Sequence, residues 1–213
     1  MTVYNDMISA YITDLYAHED EALAFIRRDS LENGLPDISV DAEEGQFLHL
    51  LVSASQAKLA LEIGTLGGYS GTWIARALAP GGRLITLEKS GKHAAIASEH
   101  FARSGVADKV TIMTGDAHQL LPGLEKLGLF DFVFIDADKV SYPDYFDWAV
   151  KHVRLGGIIC LHNALWGGAV VSPHQGEAVD LVKAFNRQAA EDPGVTSSIY
   201  PAGDGTLVAV RVR

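Results

Sequence analysis

The sequence predicts an α/β fold, a doubly wound and mostly parallel sheet closed by an antiparallel strand, with extra helices placed ahead of it. Three observations carry this expectation. Leu59 to Ile63 is a short apolar run broken by Gly64, Gly67 and Gly68, after which Trp73, Ile74, Ala77 and Leu78 resume at helical spacing. Strand-like and helix-like runs then alternate, which calls for right-handed crossovers onto a parallel sheet. Finally, Val195 to Tyr200 and Thr206 to Val212 flank the turn Pro201-Ala-Gly-Asp-Gly205, the pattern of an antiparallel pair.

At 213 residues the chain suits one domain, with 1–36 as a helical extension and 37–213 as the core. Its 48% hydrophobic and 21% charged content is ordinary for a globular protein. The formal charge of -10 argues against nucleic acid and against an anionic membrane surface as partners. Cys160 is the only cysteine, so no internal disulfide forms, and its apolar neighbours predict an inert core residue. No leader-like start and no apolar run near ~20 residues is visible, which leads to the expectation of a cytoplasmic protein.

Met7, Ile8, Tyr11, Ile12 and Leu15 space an amphipathic helix over 4–16, and a second helix is expected over 19–31. These would cover the active site, pack on a partner subunit, or both. Asn33-Gly34-Leu35-Pro36 breaks the pattern. Asp41 then reads as an N-cap with Glu44 completing a capping box, and Phe47, Leu50, Leu51 and Ala54 as the buried face.

Beyond the glycine turn, Arg83 to Leu87 is a strand ending in Glu88. Ala94, Ala97 and Phe101 stripe a helix, Lys109 to Met113 is a third strand, and Gly115-Asp116-Ala117 leads into a short helix to about Leu121. Phe132 to Ile135 runs into Asp136-Ala-Asp138-Lys139, and Tyr142, Tyr145, Phe146, Ala149, Val150 and Val153 stripe the helix after it. Ile158 to Leu161 ends in His162-Asn163, and Ala178, Leu181, Val182, Phe185 and Ala189 give the last helix. In such sheets ligands bind beyond the carboxyl ends of the strands, where Gly64, Glu88, Asp116, Asp136 and His162-Asn163 all fall.

The glycine turn would bring backbone close to a ligand and aim free N–H groups at it. Glu88, at the end of the second strand, is placed to accept from ribose hydroxyls. Asp136, Asp138 and Lys139 at one strand end and His162 and Asn163 at the next would converge on a divalent cation, or merely cap helices and turns. Lys139 is either a solvated turn residue or a general base. His18, His49, His93, His100, His118, His152 and His174 share no spacing and read as surface residues, and Tyr142 and Tyr145 read as core.

Glu62-Ile-Gly64 followed by a glycine pair and an acid after the second strand resembles the Rossmann-like S-adenosylmethionine-dependent methyltransferases. The segments LEIGTLGGYSG (61–71), TLE (86–88), FIDADK (134–139), HNALWGGAVV (162–171), DG (204–205) and DAEEGQFLHLL (41–51) together resemble the class I cation-dependent O-methyltransferases, the caffeoyl-CoA and catechol type. The resemblance implies that Glu62, Gly64, Thr65 and Ser70 line the methionine end of S-adenosylmethionine. It implies that Glu88 takes the ribose hydroxyls, Asp116 and Ala117 the adenine edge, and that Val40 and Asp136 also border the cofactor. Asp136, His162 and Asn163 would hold the metal, Lys139 would be the base, and Asp138 and Trp166 would border a small aromatic hydroxyl substrate. A homodimer is implied as well.

The family usually has Asp-Asn where this chain has His162-Asn163. A neutral imidazole removes a negative charge from the metal site, so Mn²⁺, Co²⁺ or Zn²⁺ would gain on Mg²⁺. Alternatively His162 does not ligate, and the chain is a cofactor-binding protein with lost or metal-independent transfer. An NAD-dependent oxidoreductase is disfavoured because G-x-G-x-x-G is absent.

Overall fold

The computed structural model describes residues 4–173 and 176–213. Three helices come first: α1 (Asp6–Tyr16), α2 (Glu21–Glu32) and α3 (Ala42–Ala54). The alternating part follows as β1 (Leu59–Ile63), α4 (Tyr69–Ala77), β2 (Arg83–Glu88), α5 (Gly91–Arg103), β3 (Val110–Thr114) and α6 (Ala117–Leu124). It continues with β4 (Phe130–Ile135), α7 (Tyr142–His152), β5 (Val153–Leu161), α8 (Glu177–Glu191), β6 (Val195–Tyr200) and β7 (Thr206–Arg211).

The sheet order is β3-β2-β1-β4-β5-β7-β6. β1 to β5 pair in parallel, and β7 runs antiparallel between β5 and β6. The continuous apolar strands have this form because both faces are covered. Along β4, Val133 and Ile135 join a core with Leu121 of α6, Phe146 of α7 and Phe185 of α8. Phe132 and Phe134 face the other way, toward Leu48 of α3, Ile74 of α4 and Phe101 of α5. Leu23 and Ile26 of α2 also belong to that second core, so this helix is docked by burial that stabilises it by ~1.5–3 kcal/mol per side chain. α1 has no buried residue and presents Met7 and Tyr11 to solvent.

The expected capping box on α3 does not form. Asp41 holds the N-cap position without a side-chain bond, and Glu44 is fully buried, because other partners compete for its carboxylate. The buried face of α3 is Glu43, Glu44, Gly45, Leu48 and Val52, while Leu50 is exposed. The helix turns its acids inward, so the apolar spacing of Phe47, Leu50, Leu51 and Ala54 misassigns the face. Val153 begins β5 rather than ending the helix stripe, and pairs with Phe130 across an irregular register.

The reading of the histidines as surface residues fails for one of the described ones, His100. His100 is 1% exposed, held between two acceptors described below. His93 and His118 line the main cavity. His152 stacks on Trp148 at 4.3 Å, and Trp148 packs against Phe130, which gives that tryptophan its place. His174 lies outside the described residues.

Candidate active site

Each loop that leaves the sheet is handed to its neighbour by a backbone bond at the strand end. Gly115 N–H donates to Glu88, Gly64 N–H to Leu87, Asp136 N–H to Ile63 and His162 N–H to Ile135, at 2.9–3.1 Å. These four bonds set the first residues after β3, β1, β4 and β5 along one crest. Above the crest is a cavity of about 1040 Å³. Gly64 is required there. Its φ is +99°, and a Cβ on it would stand 2.0 Å from the carbonyl oxygen of Asp136.

On the β1–β2–β3 side, Gly64, Thr65, Ser70, Glu88, Asp116 and Ala117 all line this cavity, as does Val40 from the segment before α3. Glu88 accepts from the N–H groups of Thr65 (3.2 Å), Leu66 (2.8 Å) and Ser90 (2.8 Å), so its carboxylate is fixed in position. Asp116 caps α6 by accepting from His118 N–H.

Glu62 differs from the expectation. It does not line the cavity but lies fully buried behind Ser70 and Thr86, whose hydroxyls donate to it at 2.6 and 2.7 Å. Burial pushes its carboxyl up to about 7, against the lowering effect of those two hydroxyls. Its contact with the cavity is indirect, through Ser70.

On the β4–β5 side, Asp136, Asp138, Lys139, Asn163, Trp166 and Asp204 line the same cavity. Lys139 Nζ donates to Asp136 Oδ1 (3.3 Å), Ala137 O (3.1 Å) and the Tyr142 hydroxyl (2.5 Å). Tyr142 in turn donates to His162 O at 3.0 Å. Burial first, then the charges of Asp136 and Glu44, raise the Tyr142 phenol well above its ordinary value, so it stays neutral. Reading Tyr142 as core alone therefore missed its hydroxyl; the three-residue spacing from Lys139 was the available signal.

Asp138 accepts from Ser141 N–H and Oγ and caps the short turn Lys139–Ser141. Asn163 Nδ2 donates to Asp204 Oδ2 at 2.7 Å, and Gly167 N–H donates to Asp204 Oδ1. Asp204 thus ties the loop after β5 to the β6–β7 turn, a placement that only tertiary structure makes. Asn163 and Trp166 sit at φ +58° and +49°, conformations that L residues rarely adopt and that concentrate at functional loops.

His162 does not line the cavity with Asp136 and Asn163. It is 8% exposed, and its Nδ1 donates to Glu44 Oε1 at 2.7 Å, which also accepts from Thr206 Oγ1. Burial alone would lower the imidazole, but the Glu44 hydrogen bond and charge outweigh it and raise its proton affinity. Among the described residues no group of three or more His, Cys, Asp or Glu side chains gathers as a metal cluster. Asp136 and Asn163 both bring oxygen donors to this cavity from the ends of adjacent strands, the donor type that fits a hard divalent cation.

A glycine loop after β1, an acid closing β2 and a single antiparallel strand inserted beside β5 define the fold class of the S-adenosylmethionine-dependent methyltransferases. Within that class the family model described as O-methyltransferase matches residues 13–212, and the chain belongs to that family. It is 43% identical to a catechol O-methyltransferase of Niastella koreensis over 91% of this chain and 89% of the relative. A catechol O-methyltransferase of Mycobacterium tuberculosis is 39% identical over 90% of this chain and 86% of its own. Among solved structures, the O-methyltransferase TomG of Streptomyces achromogenes in complex with SAM superposes with a TM-score of 0.89. The identity there is 39%, over 97% of this chain and 96% of that one.

Proposed function

We propose that the protein transfers the methyl group of S-adenosylmethionine to one hydroxyl of a small vicinal-dihydroxy aromatic. The observation that carries this reading is Lys139 Nζ, held in the cavity by Asp136, Ala137 and Tyr142 at the end of β4. The nucleoside half of the cofactor is assigned to Glu88, Asp116 and Ala117, and the methionine half to Gly64, Thr65 and Ser70 with Asp136 alongside. Val40 closes that side.

Lys139 acts as the neutral amine: it gives up one of its three donated bonds, releases that proton to solvent, and takes the proton of the acceptor hydroxyl onto the freed Nζ lone pair. Its three acceptor neighbours stabilise the ammonium that results. The phenolate oxygen then attacks the sulfonium methyl carbon in line, and S-adenosylhomocysteine leaves. Sulfonium and phenolate lose charge together as they react, so the protein contributes chiefly by holding the two at attack distance. Trp166 and Asp138 border the acceptor.

A divalent cation, when bound, lowers the acceptor's pKa by stabilising the phenolate. In this chain Asp136 and Asn163 would hold it. His162 has only Nε2 left for that purpose, since Nδ1 is committed to Glu44. An oxygen-led donor pair favours Mg²⁺ or Mn²⁺ over Zn²⁺.

The chain is read as one catalytic domain, 37–213, carrying the extension 1–36. The exposed apolar face of α1 (Met7, Tyr11 and Leu15) supports a homodimer. No helix among the described residues is long and apolar enough to cross a membrane. A cytoplasmic location is part of the proposal, supported by the acidic composition and the lone cysteine.

The deciding experiment is methyl transfer to a panel of catechols by metal-stripped protein, with each divalent cation added back. Methylated catechol formed with Mg²⁺ or Mn²⁺ supports the reading. No transfer to any catechol while S-adenosylhomocysteine still binds would overturn the acceptor class.

A further inference from the structure

We propose that His100 is a positioning residue for the cofactor loop, tying Gly67 to the N-terminal helix α2. The inference rests on reading the cavity as the S-adenosylmethionine site. His100 sits on α5 and is 1% exposed. Its Nδ1 is hydrogen-bonded to Gly67 O at 2.7 Å and its Nε2 to Asp29 Oδ2 of α2 at 3.0 Å. Both partners are acceptors, one a backbone carbonyl and one a carboxylate, and each meets its own ring nitrogen. Asp29 is held in turn by Asn33 Nδ2 at 2.8 Å, and Phe25 meets the imidazole edge-on at 5.7 Å.

Gly67 lines the cavity, and its approach to α2 is close: a Cβ on it would stand 2.3 Å from Ser30 Oγ. The same helix also fixes a second part of the cavity lining. Arg27 Nη2 donates to Val40 O at 2.7 Å, and its guanidinium lies 3.9 Å above the ring of Tyr69, the first residue of α4. The glycine loop and the Val40 segment therefore both hang on α2, and His100 is the link on the loop side. Filling the space needs only an apolar ring. Two directed hydrogen bonds from a buried imidazole fix where the Gly67 carbonyl points, and with it the loop beside the cofactor.

The test is S-adenosylhomocysteine titration by calorimetry together with steady-state kinetics. His100→Phe keeps a planar aromatic ring, slightly larger than imidazole, and removes both bonds. The expected result is about tenfold weaker S-adenosylhomocysteine binding and a matching rise in KM for S-adenosylmethionine. kcat at saturating cofactor and KM for the catechol should stay within about twofold, since neither reacting group touches the strut. His100→Gln, which retains one donor, should recover part of the affinity. Asp29→Ala, at the more accessible end of the strut, should shift affinity the same way by less, and should add nothing to His100→Phe. If His100→Phe does not fold, His100→Gln and Asp29→Ala decide. Variants that bind S-adenosylhomocysteine within twofold of wild type would overturn the inference alone. Wild-type protein that binds none would overturn the cofactor reading and the inference with it.

Discussion

His162 Nδ1 donates to Glu44 Oε1 at 2.7 Å, joining the end of β5 to the first turn of a helix 118 residues earlier. A buried carboxylate and a nearly buried imidazole share one hydrogen bond there through Glu44 Oε1, beneath the cavity rather than in it. Removing one partner strands the other without water, so Glu44→Ala is expected to cost about 3 kcal/mol or more.

The same pair carries a pH signature in the ligand-free protein. His162 has a raised folded-state affinity for its proton, opposed by burial and driven by Glu44. Its contribution is full below the imidazole's ordinary value and is lost as pH rises through the elevated folded value. Melting temperature should fall over that window in wild type and less steeply in Glu44→Gln. Equal slopes in the two proteins would detach the effect from this pair.

Glu62 works in the same direction, over a window that starts lower. Its carboxyl is pushed up to about 7 by burial, so folding favours the protonated form, and stability declines as pH rises from the usual carboxylate range toward 7. A shift of that size is worth up to about 3 kcal/mol. Glu62→Gln can keep both contacts, its amide oxygen accepting from one hydroxyl and its NH2 donating to the other, and should be more stable than wild type at pH 8 and no more stable at pH 4. Denaturant midpoints at the two pH values decide.

Lys139→Ala removes the proposed base without touching the β1–β2–β3 side of the cavity. kcat should fall by about 10²–10⁴-fold, while S-adenosylhomocysteine affinity stays near wild type. Rapid turnover in this variant would reassign the base.

Chelation is expected to lower methyl transfer at least tenfold, with Mg²⁺ or Mn²⁺ restoring it better than Zn²⁺, since oxygen donors face the cavity. Activity returning best with Zn²⁺ would mean that His162 swings out of its Glu44 contact to ligate. Indifference to chelator would remove the cation from the proposal.

Much of this was readable in the linear chain. Apolar runs and glycine breaks placed the strands to within about two residues, except for the start of β5 at Val153, because parallel strands covered on both faces are largely apolar. The polar residues at strand ends were equally legible: Gly64, Glu88, Asp116, Asp136 and Asn163 all reach one cavity, since the sheet aligns those ends. Glu44 was misread as a cap because a capping box depends on local spacing alone. Its true partners, His162 and Thr206, are remote in sequence. His100 was misread for the same reason, its two partners lying 33 and 71 residues away.

The sequence by itself determined the alternation, the parallel sheet with its antiparallel closure, and the crest on which the polar residues fall. These follow from periodicity and from glycine's freedom, which are local properties. Only the tertiary structure decided which polar side chains face the cavity and which face each other beneath it. A buried donor or acceptor must find a partner wherever the fold brings one, and for Glu62, Glu44, His100 and His162 that partner lies on another element.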